Sequence, residues 1–228
     1  MINRRIDAML FDFDGTIADT SQDMVSCLNI LLNNHNLKEV ELSHAKNYIS
    51  KGAAGLIDFS CPKVSSLERS KLISDYLEIY KKNLFIKTHL FNGISEVIDT
   101  LVSKNIKWGI VTNKARYFAE NIMKYHQLFD SCSVMMCGDD YGFKPKPSPE
   151  LLIEACRLLD TNISDVIYIG DGHRDILSAN SAKIKSVLAC YGYLKKGDLI
   201  EEWQPNYIIH KPSEVVDLDI FSLNNSLS

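Results

Sequence analysis

The stretch that decides the fold is Phe11-Asp12-Phe13-Asp14-Gly15-Thr16, which continues an apolar run that starts at Ile6. The run predicts a buried β-strand, and Gly15 permits a sharp turn directly after it. Ligands of open α/β sheets bind outside the carboxyl ends of the strands, so Asp12 and Asp14 are placed where chemistry is expected. Carboxylates there can hold a hard cation, or one of them can attack an electrophile. Taken alone, the stretch also fits a simple Asp-Gly turn that ends a strand.

Short apolar runs and helical patterns alternate along the rest of the chain. Further strands are predicted at residues 106–111, 134–137, 166–169, 186–189 and 207–209. Helices are predicted at residues 93–104, 115–125, 149–159 and 175–182. This alternation indicates βαβ units, and we therefore predict an α/β fold in which a Rossmann-like parallel sheet carries helices on both faces.

The segment from Ile17 to Leu84 breaks this alternation. Met24, Leu28 and Leu31 share one helical face, a second such face follows around residues 73–84, and no strand-like run lies between them. We therefore predict a helical cap domain at residues 17–84, inserted after the first strand. The catalytic core would then consist of residues 1–16 and 85–228.

Composition excludes several classes of protein. The chain has 228 residues, of which 46% are hydrophobic and 24% are charged, which is typical of a globular protein with a sizeable core. A net charge of −4 argues against a nucleic-acid surface. No apolar run is long enough for a membrane span, and acidic residues interrupt the first apolar stretch, so we expect no signal peptide. Six cysteines without C-x-x-C spacing favour a cytoplasmic protein, which we expect to be a monomer or a homodimer.

Three more polar motifs follow predicted strands. Thr112 and Asn113 end the second strand and can donate to phosphate oxygens, or simply cap a helix. Lys144 lies in a proline-rich loop after the third strand, where it can neutralise a phosphoryl group or remain a solvated surface lysine. Asp171 and Asp175 follow the fourth strand, where Asp175 can also stabilise a helix N-terminus.

The four motifs in order (D-x-D-G-T, T, K-P and G-D-x-x-x-D) resemble the signature of the haloacid dehalogenase superfamily. Within it, the chain is similar to phosphoglycolate phosphatases over nearly its whole length, through residues 12–20, 90–93, 111–114, 144–149 and 170–176. It also resembles the N-acetylmuramic acid 6-phosphate phosphatases, through residues 108–114 and 118–120. One departure is Lys183, which stands where the family usually has a helix-ending glycine, so a left-handed residue is expected there.

The resemblance implies a phosphatase that uses Mg²⁺ and forms a phosphoaspartate, acting on a small phosphorylated metabolite such as 2-phosphoglycolate. It implies that Asp12 is the nucleophile and Asp14 the general acid and base. The metal site would comprise Asp12, the carbonyl of Asp14, Asp171 and the supporting Asp175. The phosphoryl group would be held by Thr112, Lys144, the N–H of Asn113 and the turn at Gly15.

For the cap, we predict that Lys51 and Gly52 face the substrate, because the glycines at residues 50–55 allow close approach of the backbone. Lys51 would pair with a substrate carboxylate, although an ordinary surface lysine is the alternative. His173 lies inside the fourth motif and either contacts the site or is solvated. A phosphomutase of the same superfamily uses the same residues and stays open. A receiver-type signalling module, which binds Mg²⁺ and accepts phosphate, would be half this length and lack Asp14.

Overall fold

Six of the eight strands form one parallel sheet in the computed structural model, which describes residues 6–218. In chain order the strands are β1 (Ala8–Phe11), β2 (Ala18–Asp19), β3 (His89–Leu90), β4 (Lys107–Thr112), β5 (Val134–Cys137), β6 (Val166–Gly170), β7 (Lys185–Ala189) and β8 (Tyr207–Ile209). The sheet order is β5-β4-β1-β6-β7-β8, and every pairing is parallel. Strand β1 is therefore central, with β4 on one side and β6 on the other.

Eight α-helices accompany the strands in the described part of the chain. They are α1 (Ser21–Asn34), α2 (Leu42–Ala45), α3 (Gly52–Ser60), α4 (Ser66–Lys82), α5 (Ile94–Ser103), α6 (Arg116–Met123), α7 (Glu150–Leu158) and α8 (His173–Ala182). Every strand and helix that the sequence predicts is present with ends that differ by at most two residues. None of the helices within residues 6–218 is both long and apolar enough to cross a membrane.

Side chains that alternate along β1 build the two faces of the main sheet. Met9 and Phe11 pack into the cluster that includes residues of α5 and α6, whereas Ala8 and Leu10 pack into the cluster that includes α7 and α8. Strand β6 is buried on both faces over its whole length, as expected for a parallel sheet covered by helices. The prediction of an α/β fold with helices on both faces is therefore confirmed.

Helices α1 to α4 supply most of a further hydrophobic cluster, in which Leu28, Leu56, Tyr76 and Tyr80 are fully or almost fully buried and which Phe118 of α6 joins. Helix α4 begins with a capping box, since Ser65 accepts from the N–H of Glu68 and Glu68 accepts from the N–H of Ser65. The short antiparallel pair β2–β3 joins the chain entering this helical segment to the chain leaving it. The assignment of residues 17–84 as a separate cap domain stays a prediction, and the two residues of β2 inside it were not predicted as a strand. Residues 1–5 and 219–228 of the predicted core lie outside the described residues.

A buried aspartate fixes the return of the chain from the helical segment. The Asp23 carboxylate on α1 accepts from the backbone N–H groups of Ile86, Lys87 and Thr88 and from the Thr88 hydroxyl, at 2.7–3.1 Å. Further along the chain, Lys183 ends α8 with φ 59° and ψ 29°. The left-handed residue expected there is therefore present.

Candidate active site

The four predicted aspartates and Thr112 come together at the carboxyl ends of three adjacent strands. Asp12 and Asp14 follow β1, Thr112 ends β4, and Asp171 follows β6. Because β1 pairs directly with both β4 and β6, the three strand ends meet at one edge of the sheet. The start of α8 adds Asp175 to the same place.

Three carboxylates form a compact anionic cluster at this edge. Asp12, Asp171 and Asp175 each present one oxygen, and these oxygens lie within 4.8 Å of one another. Asp171 is 2% exposed; its Oδ2 accepts from the backbone N–H of Tyr193 at 2.7 Å, whereas its buried Oδ1 has no hydrogen-bond partner within residues 6–218. Burial, together with the charges of Asp175 and Asp12, raises the pKa of Asp171 well above its usual range. An unpartnered buried oxygen in such a cluster fits a hard divalent cation such as Mg²⁺.

Glycine at position 15 lets the turn after β1 close against Asp171. Gly15 has φ +85°, and a Cβ at this position would lie 2.1 Å from Oδ2 of Asp171. Gly192 makes a similarly close approach from the other side, since a Cβ there would lie 2.3 Å from Cβ of Asp171. Gly15, which we predicted to bind phosphate, therefore packs against a candidate metal ligand.

The buried lysine beside Asp12, the candidate nucleophile, is Lys146, and the predicted Lys144 does not reach the site. The Lys144 side chain is 80% exposed and its Nζ lies 3.6 Å from Glu150, whereas the Lys146 side chain is 2% exposed. Nζ of Lys146 lies 2.9 Å from Oδ1 of Asp12 and 2.6 Å from Oδ1 of Asp175. It also donates to the carbonyl of Val111.

The loop conformation explains this choice between two lysines that are two residues apart. The Asn113 side chain accepts from the backbone N–H of Lys146 at 2.8 Å and donates to its carbonyl at 2.9 Å. These two bonds fix the backbone at Lys146 beside the end of β4. Asn113 thus has a structural task in addition to the phosphate contact that we predicted through its N–H.

Asp12 and Lys146 carry opposite charges in a buried environment. Burial raises the pKa of Asp12 to about 6, and the neighbouring charges of Asp175 and Asp14 add to this, while Lys146 opposes it. Burial disfavours the charged form of Lys146, but the carboxylates of Asp12 and Asp175 outweigh it and raise the pKa of the ammonium. The lysine therefore remains a cation next to the candidate nucleophile.

Asp14 is held by two donors, Thr20 and Lys114, and neither was predicted from the sequence as a site residue. Thr20 Oγ1 donates to Asp14 at 2.6 Å, and Nζ of Lys114 donates to Oδ1 and Oδ2 at 2.9 and 3.2 Å. The backbone N–H of Lys114 also donates to Oγ1 of Thr112 at 3.2 Å. Lys114 directly follows Thr112-Asn113 in the motif, but nothing in the sequence distinguishes it from a solvated lysine.

A cavity of about 350 Å³ separates the helical segment from the strand ends. Asp12, Asp14, Thr112 and Asn113 line its lower side, and the predicted cap residues Lys51 and Gly52 do line it from above. An adjoining cavity of about 170 Å³ is lined by Lys51 and His173 as well, and Arg174, which sequence reasoning missed, lines both. Lys51 and Arg174 are exposed, and neither forms an ion pair within residues 6–218.

Comparison with known proteins decides the family. A sequence model described as "Haloacid dehalogenase-like hydrolase" matches residues 9–189. The chain belongs to the haloacid dehalogenase-like hydrolase family. The resemblance inferred from the four motifs is therefore confirmed.

Similar curated proteins match nearly the whole chain. A phosphoglycolate phosphatase from Xanthomonas campestris is 30% identical, with 91% of this chain and 94% of that protein covered. An N-acetylmuramic acid 6-phosphate phosphatase from Pseudomonas putida is 31% identical, with 92% and 95% covered. Since these relatives are named phosphatases, the prediction of a phosphoric monoester hydrolase is confirmed at the level of that enzyme class.

Solved structures of the family share the fold. The crystal structure of a predicted phosphoglycolate phosphatase from Haemophilus somnus superposes with a TM-score of 0.84 at 21% identity, covering 93% of this chain and 97% of that one. A putative haloacid dehalogenase-like hydrolase from Bacteroides fragilis gives a TM-score of 0.83 at 23% identity, covering 92% and 100%. At these identities the likeness concerns the fold alone.

Proposed function

We propose that this family member is a Mg²⁺-dependent phosphatase that cleaves a small carboxylated phosphate monoester through a phosphoaspartate on Asp12. The observation that carries the proposal is the Asp12–Lys146 contact of 2.9 Å beside the unpartnered oxygen of Asp171. A carboxylate nucleophile, a buried cation and oxygen ligands for a divalent metal ion are what attack on a phosphate dianion requires.

In the first half of the reaction, an Asp12 oxygen attacks phosphorus, and the bond from phosphorus to the leaving oxygen breaks. Asp14 gives its proton to that oxygen, so the alcohol leaves neutral. Lys146, the Thr112 hydroxyl and the N–H of Asn113 hold the phosphoryl oxygens as charge spreads over them. Thr112 and Asn113 line the same cavity as Asp12, which supports this assignment.

In the second half, Asp14 takes a proton from a water molecule as that water attacks phosphorus. The acyl phosphate bond breaks, inorganic phosphate leaves, and the Asp12 carboxylate is restored. Asp12, Asp171 and the carbonyl of Asp14 would hold Mg²⁺, with Asp175 in support. The ion supplies positive charge that offsets the repulsion between the carboxylate and the phosphate dianion.

The cavity supports a leaving group that carries its own negative charge. Lys51 and Arg174 line it, and no carboxylate among the described residues lies within 4.0 Å of either cationic group, so a substrate carboxylate would find two cations there. Phosphoglycolate and N-acetylmuramic acid 6-phosphate, for which the similar proteins are named, both carry such a carboxylate. A cavity of about 350 Å³ has room for a ligand much larger than phosphoglycolate. N-acetylmuramic acid 6-phosphate is therefore the second candidate substrate.

The test is phosphate release by the purified protein with Mg²⁺. The substrates are 2-phosphoglycolate, N-acetylmuramic acid 6-phosphate and N-acetylglucosamine 6-phosphate, which is the same sugar without the lactyl carboxylate. We expect hydrolysis of a carboxylated ester and a much lower kcat/KM for N-acetylglucosamine 6-phosphate. An isomeric phosphate without release of inorganic phosphate would indicate a phosphomutase instead, and stable phosphorylation of the protein without turnover would indicate a signalling module.

A further inference from the structure

The ammonium of Lys114 is enclosed between the strand ends and the helical segment. Its side chain is 4% exposed, and its Nζ lies 2.9 Å from Oδ1 of Asp14. On the opposite side, Nζ donates to the hydroxyl of Tyr80 at 3.1 Å. Lys114 follows β4, whereas Tyr80 belongs to α4, so this one cation joins the two parts of the molecule at the candidate acid and base.

A buried ammonium is stable only where opposite charge and hydrogen-bond acceptors replace water. Asp14 is the one carboxylate that pairs with Lys114 within residues 6–218. The rings of Tyr80 and Phe13 lie 5.0 and 5.9 Å from Nζ, at distances where aromatic faces attract a cation. The arrangement therefore fixes the ammonium, and through it both oxygens of Asp14.

Tyr80 reaches this place only while α4 lies over the strand ends. It is 2% exposed and packs against Tyr76 of its own helix and against Phe118 of α6, with ring centroids 6.0 and 5.1 Å away. The second donor to Asp14, Thr20, is the residue that precedes α1. Both donors to Asp14 are thus connected to helices of the same segment.

We propose that Lys114 is a positioning residue for Asp14, and that Tyr80 completes this positioning only when the helical segment covers the site. The inference rests on the proposed function, because it concerns the proton that Asp14 delivers. Asp14 is then aligned only while the helical segment covers the cavity. When the cavity is uncovered, Asp14 protonates a leaving group poorly. Tyr80 and Lys114 both line the cavity that the leaving group would fill, which places the coupling beside the substrate.

The experiment compares two kinds of leaving group. The alkoxide of an alkyl phosphate needs a proton as it leaves, whereas the nitrophenolate of p-nitrophenyl phosphate needs little help. The alkyl substrate is 2-phosphoglycolate or N-acetylmuramic acid 6-phosphate, whichever the wild type turns over. We expect Lys114→Met to lower kcat/KM on it by about 100-fold and kcat/KM on p-nitrophenyl phosphate by less than about tenfold; kcat/KM is compared because it excludes hydrolysis of the phosphoaspartate, a step that the two substrates share. Equal losses on the two substrates would overturn the role of Lys114.

Two tyrosine variants separate the coupling from a loss of packing. Tyr80→Phe removes only the hydroxyl that contacts Lys114. We expect it to lower the ratio of kcat/KM for the alkyl substrate to kcat/KM for p-nitrophenyl phosphate by about threefold or more, which is the same direction of change as in Lys114→Met. Tyr76→Phe is the matched control, since its hydroxyl donates to the carbonyl of Met24 inside the helical segment and does not contact Lys114. We expect the control to leave the ratio unchanged, and a shift in the control equal to that of Tyr80→Phe would overturn the coupling.

A second measurement does not depend on turnover. Hydrogen exchange of the α4 amides, followed by mass spectrometry, should become faster in Lys114→Met and Tyr80→Phe than in Tyr76→Phe. Unchanged exchange in both variants would overturn the link between Lys114 and coverage of the site. The absence of phosphate release from every ester by the wild type would instead overturn the proposed function, so the two failures are distinguishable.

Discussion

The ammonium of Lys146 lies 2.9 Å from the carboxylate of Asp12, at the end of the central strand. The same ammonium lies 2.6 Å from Asp175 at the start of α8, so one buried cation connects two of the three clustered carboxylates. One positive charge does not neutralise three negative ones, and the remaining excess fits a divalent cation. The contact therefore has two consequences, one for catalysis and one for metal binding.

The contact predicts that Lys146 and Lys144 differ sharply in importance. Lys146→Met should lower kcat by about 100-fold or more, because it removes the buried cation that, in the proposed reaction, holds the phosphoryl group. Lys144→Met is the matched control; its side chain is 80% exposed, and activity should stay within about twofold. Steady-state phosphate release measures both. Similar losses in the two variants would contradict the placement of Lys146 at the site.

The proposed nucleophile, Asp12, can be tested by a change that keeps the shape of its side chain. Asp12→Asn should abolish turnover while the thermal unfolding transition remains cooperative, because the amide oxygen can still accept from the N–H of Phe13, as Oδ1 does at 2.7 Å. Acid-quenched protein should carry covalent phosphate in the wild type and none in the variant. Activity comparable to that of the wild type would refute the assignment of Asp12.

The sequence predicted the sheet well because its strands are continuous apolar runs separated by helix patterns, and both signals are local. It also placed Asp12, Asp14 and Asp171 correctly at strand ends, since each directly follows a run of buried residues. The sequence did not show which of two lysines, Lys144 or Lys146, faces the site. Lys144 and Lys146 both precede a proline, and it is the Lys146 backbone that is held beside β4 by the hydrogen bonds of Asn113, 33 residues earlier in the chain.

The sequence did not predict the pairing of Lys114 with Asp14 either, for a related reason. The two residues are 100 positions apart, and Tyr80, which completes the contact, comes from the helical segment. A lysine is usually solvated, so its burial depends on three separate elements meeting in space. Motif order identifies which strand ends form the site, whereas side-chain direction depends on tertiary packing.

The excess negative charge of Asp12, Asp171 and Asp175 predicts that, without a metal ion, the folded protein becomes less stable as the pH rises. Burial and the charges of Asp175 and Asp12 raise the pKa of Asp171, and burial raises that of Asp12 to about 6. A carboxyl group whose pKa is raised on folding binds its proton more tightly in the folded protein. Its stabilising effect is complete below its unfolded pKa of about 4 and is lost as the pH rises through the folded value.

In EDTA, the melting temperature should therefore fall as the pH rises from about 5 to 7.5, and the fall should be smaller in Asp171→Asn. At pH 7.5 in EDTA, the variant should melt higher than the wild type, because one repelling charge is gone. Added Mg²⁺ should raise the melting temperature of the wild type and have little effect on the variant. Thermal scans of both proteins, with and without Mg²⁺, provide the comparison. Parallel pH profiles would show that Asp171 does not carry the excess charge.

The close approach of Gly15 to Asp171 predicts that Gly15→Ala weakens Mg²⁺ binding, and Gly142→Ala is the matched control. Gly15 and Gly142 have nearly equal φ values, +85° and +88°, so alanine at either position adds left-handed strain of about 1–2 kcal/mol. A Cβ at Gly15 would lie 2.1 Å from Oδ2 of Asp171, whereas a Cβ at Gly142 has no atom within 4 Å.

Gly15→Ala should therefore displace the Asp171 carboxylate and raise the Mg²⁺ concentration for half-maximal activity by about tenfold or more. Gly142→Ala should lower the melting temperature without changing that concentration. Mg²⁺ titrations of phosphate release measure the effect, and identical titration curves for the two variants would mean that the turn at Gly15 does not position the metal ligand.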